Sequence, residues 1–254
     1  MNGVQTLKKK LENCERISAA TLTHLAYTEV PGMYKAAGTD CIIFDLEHGS
    51  FDQENTGDLL YACRKEDIPS IIRVQDCVYH CISKAIDMGA DGVLIPRTET
   101  IEQVETAISS MRFYPYGKKG VGGRALLRPG EEIYDFNKNR LLFLQIESTQ
   151  GVNLLDEILT KYGDQVAGLI IGPCDMAVSM GCGLDTNAPE MIKNITKTIE
   201  ICKKHKKSIG MFMDDDLIAE RWHNEGMNIY WLGTELTMFT TEVKRNRQRI
   251  DEFK

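Results

Sequence analysis

Eight short apolar runs recur along the chain, and longer segments of mixed apolar and polar positions separate them. Each run is four to six residues long and ends in turn or polar residues. Runs of this length that are apolar at successive positions are typical of parallel strands buried on both faces. The pattern predicts strands at Ile17–Thr21, Cys41–Phe44, Ser70–Val74, Gly92–Ile95, Leu141–Ile146, Ala167–Ile171, Ser208–Met213 and Asn228–Leu232.

The segments between these runs have the apolar spacing of amphipathic helices. The predicted helices cover Gln53–Lys65, Val78–Met88, Thr100–Met111, Val152–Lys161, Pro189–Lys204 and Leu217–Asn224, with a closing helix from Glu235 onward. Strands that alternate with helices form parallel sheets through right-handed crossovers, and eight such units predict a closed (β/α)₈ barrel, the TIM-barrel fold.

The chain length agrees with this fold, since its 254 residues are close to the roughly 250 of such barrels. No linker rich in Pro, Gly or Ser divides the sequence, so residues 1–254 are expected to form a single domain. The main alternative is an open, doubly wound sheet that binds a dinucleotide. The first predicted strand is not followed by the G-x-G-x-x-G sequence of that fold, which favours the barrel.

One long segment, from Phe113 to Arg140, interrupts the alternation. Irregular segments of this length are uncommon in compact domains unless they have a function. Its glycines between Gly120 and Gly123 lack the spacing and the Lys-Ser/Thr ending of a phosphate-binding P-loop. We therefore expect a lid or a subunit contact.

Composition restricts the partners of the protein. The net charge of −7 does not favour nucleic-acid binding, which usually requires a basic face. No apolar run approaches the ~20 residues of a membrane span or resembles a signal peptide, so we expect no membrane association and a cytoplasmic location. The eight cysteines are scattered through predicted strands and helices, so we expect reduced thiols rather than a disulfide framework.

Two carboxylates follow the fifth and sixth predicted strands. Glu147 ends the sequence Gln145-Ile146-Glu147, and Asp175 ends Gly172-Pro173-Cys174-Asp175. Because the carboxyl ends of barrel strands meet at one rim, where the chemistry of these barrels is found, the two acids are expected to form half of a metal site.

Other charged residues are predicted at the same rim. Asp45, Glu47 and His48 follow the second strand, and Arg73 lies in the third strand, where it needs an anionic partner. Asp87 lies near the C-terminal end of a predicted helix, where the helix dipole disfavours an anion. His48 is a candidate partner for it.

The order of these motifs resembles that of the HpcH/HpaI aldolase family, a branch of the phosphoenolpyruvate/pyruvate barrel superfamily. The resemblance spans almost the whole chain. Its motifs are Ala37-Gly38-Thr39-Asp40, Asp45-Leu46-Glu47-His48-Gly49, Ile72-Arg73-Val74, Asp87 to Pro96, Tyr114-Pro115-Tyr116-Gly117, Gly120-Val121-Gly122-Gly123, Gln145-Ile146-Glu147 and Gly172 to Ala177.

The resemblance implies a class II aldolase that depends on a divalent metal and cleaves or forms 4-hydroxy-2-oxo acids, with pyruvate and an aldehyde as the other reactants. Glu147 and Asp175 match the family's metal-binding carboxylates, and water and substrate would complete the coordination. An open site of oxygen ligands suits Mg²⁺, Mn²⁺ or Co²⁺ better than structural zinc.

The resemblance also implies the catalytic roles. Arg73 matches the arginine that supports the enolate oxygen, and His48, oriented by Asp87, matches the acid/base pair that moves the proton of the C4 hydroxyl. Asp45 and Glu47 are expected to support the histidine and metal-bound waters. The predicted substrate-binding residues are Arg73, Gln145, Gly172, Pro173 and Cys174.

Some positions depart from the family pattern, notably Tyr116, Lys119 and the segment Asp214 to Asp216, so the aldehyde half of the substrate stays open. Two other functions also stay open: a citrate-lyase-β-like enzyme acting on a CoA thioester, and a barrel that binds a 2-oxo acid without turnover. The resemblance further implies a homo-oligomer, a hexamer built as a trimer of dimers, in which the closing helix is exchanged between subunits.

Overall fold

A computed structural model describes residues 1–123, 127–213 and 216–253. Its eight strands are all parallel and pair in chain order into a closed barrel, with the last strand next to the first. The predicted (β/α)₈ architecture is therefore confirmed. The strands are β1 Ile17–Leu22, β2 Cys41–Asp45, β3 Ser70–Arg73, β4 Gly92–Ile95, β5 Leu141–Ile146, β6 Gly168–Ile171, β7 Ser208–Met213 and β8 Ile229–Thr234.

The helices of the described residues surround this barrel. They are α1 Gly3–Glu12, α2 Val30–Ala36, α3 Gln53–Lys65, α4 Tyr79–Met88, α5 Ile101–Met111, α6 Phe136–Asn139, α7 Thr149–Tyr162, α8 Pro173–Ser179, α9 Pro189–Lys204, α10 Asp216–Asn224 and α11 Glu235–Asp251. The bounds of α3 and α9 agree with the sequence prediction. In the described ranges, every helix is too short or too polar to cross a lipid bilayer.

Four helices were not predicted: α1, α2, α6 and α8. Three of them are only four to seven residues long, which is too short for apolar periodicity to show. The first, α1, starts with a capping box between Asn2 and Gln5. Its apolar face, formed by Val4, Leu7 and Leu11, packs on the inner barrel residues and closes the N-terminal end of the barrel.

Alternation along the strands separates two hydrophobic layers. One set of strand positions, such as Ile42 and Ile72, packs against the helices, whereas Ile43 and Ile71 fill the barrel interior. Because side chains alternate with a period of two, Asp45 and the neighbouring arginine of β3 continue the inward-facing set at the carboxyl ends. The fold thus places polar groups on top of an apolar barrel interior.

The segment from Phe113 to Arg140 is anchored by buried charges. The Nζ atom of Lys119 forms an ion pair with Asp87, and the Lys119 side chain is wholly buried. Arg128 forms an ion pair with Asp91, in which the closest atoms are 2.5 Å apart. These contacts tie the described parts of the segment to α4 and β4. Residues 124–126 lie outside the described residues, and the expected role as a lid or subunit contact stays a prediction.

The Asp91–Arg128 pair generates a stability test. Asp91→Asn keeps the side-chain volume but leaves Arg128, which is 8% exposed, with Asp67 at 3.2 Å as its remaining ion-pair partner among the described residues. Breaking a buried pair from one side should lower the free energy of unfolding by about 3 kcal/mol. Urea denaturation measures this loss. As a control, Lys161→Met breaks the exposed pair with Glu105 and should cost less than about 1 kcal/mol; equal losses in the two variants would contradict the assignment.

Candidate active site

Asp45 and Arg73 form the central ion pair at the carboxyl end of the barrel. They are directly paired in the register of β2 and β3, and both side chains are inward-facing and buried. Arg73 donates from Nε and Nη2 to the two carboxylate oxygens of Asp45, over 2.8 and 2.5 Å. Its remaining Nη1 lies 3.2 Å from Glu47 Oε2. This two-point geometry fixes the guanidinium plane.

The same carboxylate shapes the turn after β2. Asp45 Oδ1 accepts hydrogen bonds from the backbone N–H groups of Glu47 and His48, at 3.0 and 3.2 Å. Asp45 was expected to support the histidine. It contacts the backbone of His48, while its side-chain partner is Arg73.

The surroundings of Arg73 keep it charged. Burial opposes the charge, but the hydrogen bonds and negative charge of Asp45, with Glu47 and Glu147, raise the pKa of Arg73 above its ordinary value. The guanidinium carbon also lies 5.6 Å from the centre of the Trp231 ring, within the range of a cation–π interaction. A permanent positive charge is therefore held at the floor of the mouth, by which we mean the open carboxyl end of the barrel.

Glu147 follows β5 and is buried. Its Oε1 accepts a hydrogen bond from the backbone N–H of Arg97 at 2.6 Å, and its Oε2 accepts one from Gln145 Nε2 at 2.6 Å. The carboxylate packs over Gly172 so closely that a Cβ at that position would lie 2.2 Å from Oε2. Gly172 is therefore required by close approach rather than by its backbone angles.

The electrostatics of Glu147 disfavour a bare carboxylate. Burial, followed by repulsion from Asp175 and Glu47, raises its pKa to about 7, although the hydrogen bonds from Arg97 and Gln145 oppose this shift. Burial also raises the pKa of Glu47, against the opposing charges of Arg73 and its other neighbours. A bound cation would relieve this repulsion.

Asp175 reaches the same place from the next strand. It lies exposed in the first turn of α8, which begins directly after β6 with Pro173 at its first position. No side chain caps this helix at Gly172, so its first-turn N–H groups are available to an anion. The N-terminal position also favours the charge of Asp175.

A cavity of ≈ 220 Å³ lies at the mouth, between Arg73 and Asp175. Its walls contain most of the residues predicted from sequence, whereas Glu47, Glu147 and Asp87 do not line it. The Oε1 atom of Gln145, a lining residue, is buried without a hydrogen-bond partner among the described residues. The predicted lining residues are Asp45, His48, Arg73, Gln145, Gly172, Pro173, Cys174 and Asp175, and the others are Thr21, Thr23, Phe212, Trp231 and Thr234.

The expected pairing of His48 with Asp87 is not formed within the chain. The side chain of His48 is 63% exposed, and its carboxylate neighbour is Glu47, at 3.8 Å from Nε2. Asp87 instead pairs with Lys119 from the long segment after α5. The local cost of an anion at the end of α4 is therefore offset by lysine, which the sequence pattern did not identify as its partner.

Sequence reasoning missed Arg97 and Trp231. Arg97 follows β4 and Pro96, and its backbone adopts a positive φ of 47° that points its N–H at Glu147. Its Nε lies 3.5 Å from Glu47 Oε1. A polar residue directly after a strand was the available signal for Arg97. Trp231 lies in the apolar run of β8, where an inward-facing aromatic residue resembles ordinary core.

Comparison with known proteins gives these groups a context. The model of the HpcH/HpaI aldolase/citrate lyase family matches residues 26–241. The chain belongs to this family. Family membership and the aldolase relatives described below support carbon–carbon lyase activity of the aldolase type.

The curated relatives of this HpcH/HpaI protein are aldolases of similar length. Hydroxypyruvate/pyruvate aldolase from Roseobacter denitrificans is 29% identical over 246 residues, which cover 95% of each chain. The 5-keto-4-deoxy-D-glucarate aldolase of Citrobacter koseri is 30% identical over 222 residues, covering 86% of this chain and 84% of the relative. A solved family protein from Burkholderia cenocepacia matches with a TM-score of 0.89 at 23% identity, covering 97% and 99% of the two chains, and supports the fold.

The raised pKa of Glu147 predicts a pH dependence in metal-free protein. Between its ordinary value of 4.5 and about 7, the folded state binds this proton more tightly than the unfolded state. Stability should therefore fall as pH rises through this window, by roughly 3 kcal/mol from this group. Glu147→Gln should remove that part of the pH dependence, because its amide does not bind the proton. Gln145 can turn its unpaired Oε1 toward the new amide, which keeps a hydrogen bond between the two side chains.

Chemical denaturation of both proteins at about pH 5 and about pH 8, with chelator present, measures the difference. The variant should lose less stability than the wild type between the two pH values. Parallel losses would contradict the assigned environment of Glu147.

Proposed function

We propose that this protein is a divalent-metal-dependent class II aldolase that cleaves or forms a 4-hydroxy-2-oxo acid, with pyruvate and an aldehyde as the other reactants. One observation carries the proposal: the buried Glu147 and the exposed Asp175, from neighbouring strands, interact electrostatically beside a cavity whose floor holds Arg73. The names of the aldolase relatives support the same class of reaction.

The residues at the mouth fit a hard cation. Burial and the negative charge of Asp175 raise the pKa of Glu147, and the neighbouring Gln145 donates its amide N–H to Glu147 and keeps its amide oxygen free in the part of the chain that the structure describes. Among the described residues, no cluster of three or more Asp, Glu, His or Cys side chains forms a metal-binding group. Two protein carboxylates with water and substrate as further ligands suit Mg²⁺, Mn²⁺ or Co²⁺.

A divalent ion held by Glu147 and Asp175 would supply Lewis acidity to the 2-oxo acid and its enolate. Arg73 would place its fixed charge at the negative oxygen, since Asp45 and Glu47 prevent its guanidinium from turning away. The unpaired Oε1 of Gln145 and the uncapped first turn of α8 would orient the substrate through a hydroxyl and the carboxylate, respectively.

His48 is the group that we assign to proton transfer. It lines the cavity, and its exposed imidazole can reach the C4 hydroxyl of a substrate that enters the mouth. Within the chain, Glu47 is the carboxylate that can orient it, because Asp87 is engaged by Lys119. Removal of the hydroxyl proton would start C3–C4 cleavage, and its return would complete the reverse condensation.

The proposal includes assembly into a homo-oligomer, with a hexamer built as a trimer of dimers as the expected form. Five apolar side chains on α11 are exposed in the single chain: Leu236, Met238, Phe239, Val243 and Ile250. A helix that leaves such a row in water normally has a partner surface. Glu235, at the start of the helix, is buried and accepts hydrogen bonds from the backbone of residues 23–25, which fixes the point where α11 leaves the barrel.

Turnover by carboxylate variants tests the function. Glu147→Gln and Asp175→Asn preserve volume but remove the charge that would hold a hard cation, so each should abolish metal-dependent formation of pyruvate. His48→Ala should retain metal binding and slow cleavage by roughly 10²-fold, the scale of a lost general acid/base. A coupled spectrophotometric assay of pyruvate, on a panel of 4-hydroxy-2-oxo acids, measures these rates.

Chelation and restoration of the metal provide the control for these variants. Wild-type protein treated with EDTA should lose activity and regain it with Mg²⁺, Mn²⁺ or Co²⁺, while circular dichroism shows all variants folded. Full activity after chelation, or wild-type turnover by the variant lacking both carboxylates, would overturn the proposed mechanism.

A further inference from the structure

A second cavity, of ≈ 270 Å³, lies at the N-terminal end of the barrel, opposite the mouth. We call it the basal cavity. It lies where β5, β6 and β7 begin, beside the last turns of α1. Its lining residues are Lys8, Leu11, Glu12, Arg112, Tyr116, Asn137, Lys138, Arg140, Leu141, Asp164, Gln165, Val166, Ala167, Lys206 and Lys207.

The basal cavity concentrates positive charge in an acidic protein. Six of its lining residues are Lys or Arg and only two are acidic, although the whole chain carries a net charge of −7. Arg140 is neutralised by Glu131 at 2.8 Å, and Lys8 lies 3.9 Å from Glu12. The other four cations form no ion pair with a carboxylate of the described residues.

Arg112 is the most buried of these four, with 7% of its surface exposed. Its guanidinium donates to the backbone carbonyls of Asn137 and Arg140 and, over 3.1 Å, to that of Gln165, while its Nε has no partner among the described residues. Burial lowers its pKa to about 10, against the weaker attraction of Asp164. Carbonyl dipoles thus hold the group without neutralising its charge.

Three lysines extend the positive surface from Arg112 toward solvent. Lys207 is partly buried, and its Nζ donates to the carbonyl of Val166 over 3.0 Å. Lys138 and Lys206 are exposed and come from α6 and from the turn after α9. Three separate chain segments therefore bring unpaired cations to one cavity.

A purely structural role explains only part of this arrangement. Arg112 ties together the carbonyls before β5 and β6, which accounts for one buried cation. It does not account for Lys138 and Lys206, whose side chains form no ion pair or hydrogen bond with the described residues. A bound anion would attract all four cations at once.

We propose that the basal cavity binds a small anion with two or more negative charges, of the phosphate or polycarboxylate type. Its volume is just below the lower end of the usual range for small-molecule pockets, about 300 Å³, which fits a compact polyanion rather than a nucleotide. This site is separate from the mouth, since the two cavities share no lining residue.

Calorimetric titration of the full-length protein with inorganic pyrophosphate and, separately, with citrate tests the site. The informative variant is Lys138→Gln/Lys206→Gln, because both side chains are exposed and their removal leaves Arg112 and the fold in place. It should bind the preferred anion at least about tenfold more weakly. The matched control is Lys84→Gln/Lys193→Gln, which removes two exposed lysines outside the cavity and should bind like wild type.

The two probes distinguish the chemical sources of the anion: tighter pyrophosphate binding assigns a phosphoryl ligand, and tighter citrate binding assigns a polycarboxylate. Three outcomes would overturn the site. The first is that neither probe binds. The second is that both double variants bind like wild type, which would place the anion elsewhere, including the mouth. The third is that both double variants weaken binding equally, which would indicate an effect of the net charge of the protein only.

Discussion

The buried ion pair between Asp45 and Arg73 is the interaction on which the mouth of the barrel depends. It forms because two charged residues occupy paired, inward-facing positions on adjacent strands, where neither could be buried alone. Asp45 also holds the turn that carries Glu47 and His48, and Arg73 holds the Glu47 side chain. One pair therefore sets the positions of two further groups at the mouth, Glu47 and His48.

This pair leaves the mouth with excess negative charge. Asp45 engages two nitrogen atoms of Arg73, and Glu147 stays buried beside the negative charges of Asp175 and Glu47, which together with burial raise its pKa. This arrangement lowers the stability of the metal-free protein. It also favours binding of a divalent cation, which would relieve the repulsion. We regard this imbalance, rather than any single residue, as the physical basis for the proposed metal chemistry.

Much of the fold could be predicted from sequence because apolar runs and strand periodicity are local properties. The same periodicity placed Glu147 and Asp175 at adjacent strand ends and Arg73 at the rim. Contacts set by backbone conformation or distant segments could not be predicted in this way. Arg97 acts through a positive φ, Asp87 meets Lys119 from 32 residues away, and the basal cavity joins segments that share no motif. The roles of the site residues stay predictions.

The most direct test of the central claim is a calorimetric titration of metal-free protein with Mn²⁺ at several pH values. The account predicts one Mn²⁺ per chain and an affinity that rises as pH increases through about 7, because Glu147 must release its proton to bind. Asp175→Asn should abolish this binding. Absence of Mn²⁺ binding at about pH 8, or the same affinity in the Asp175→Asn variant, would contradict the account.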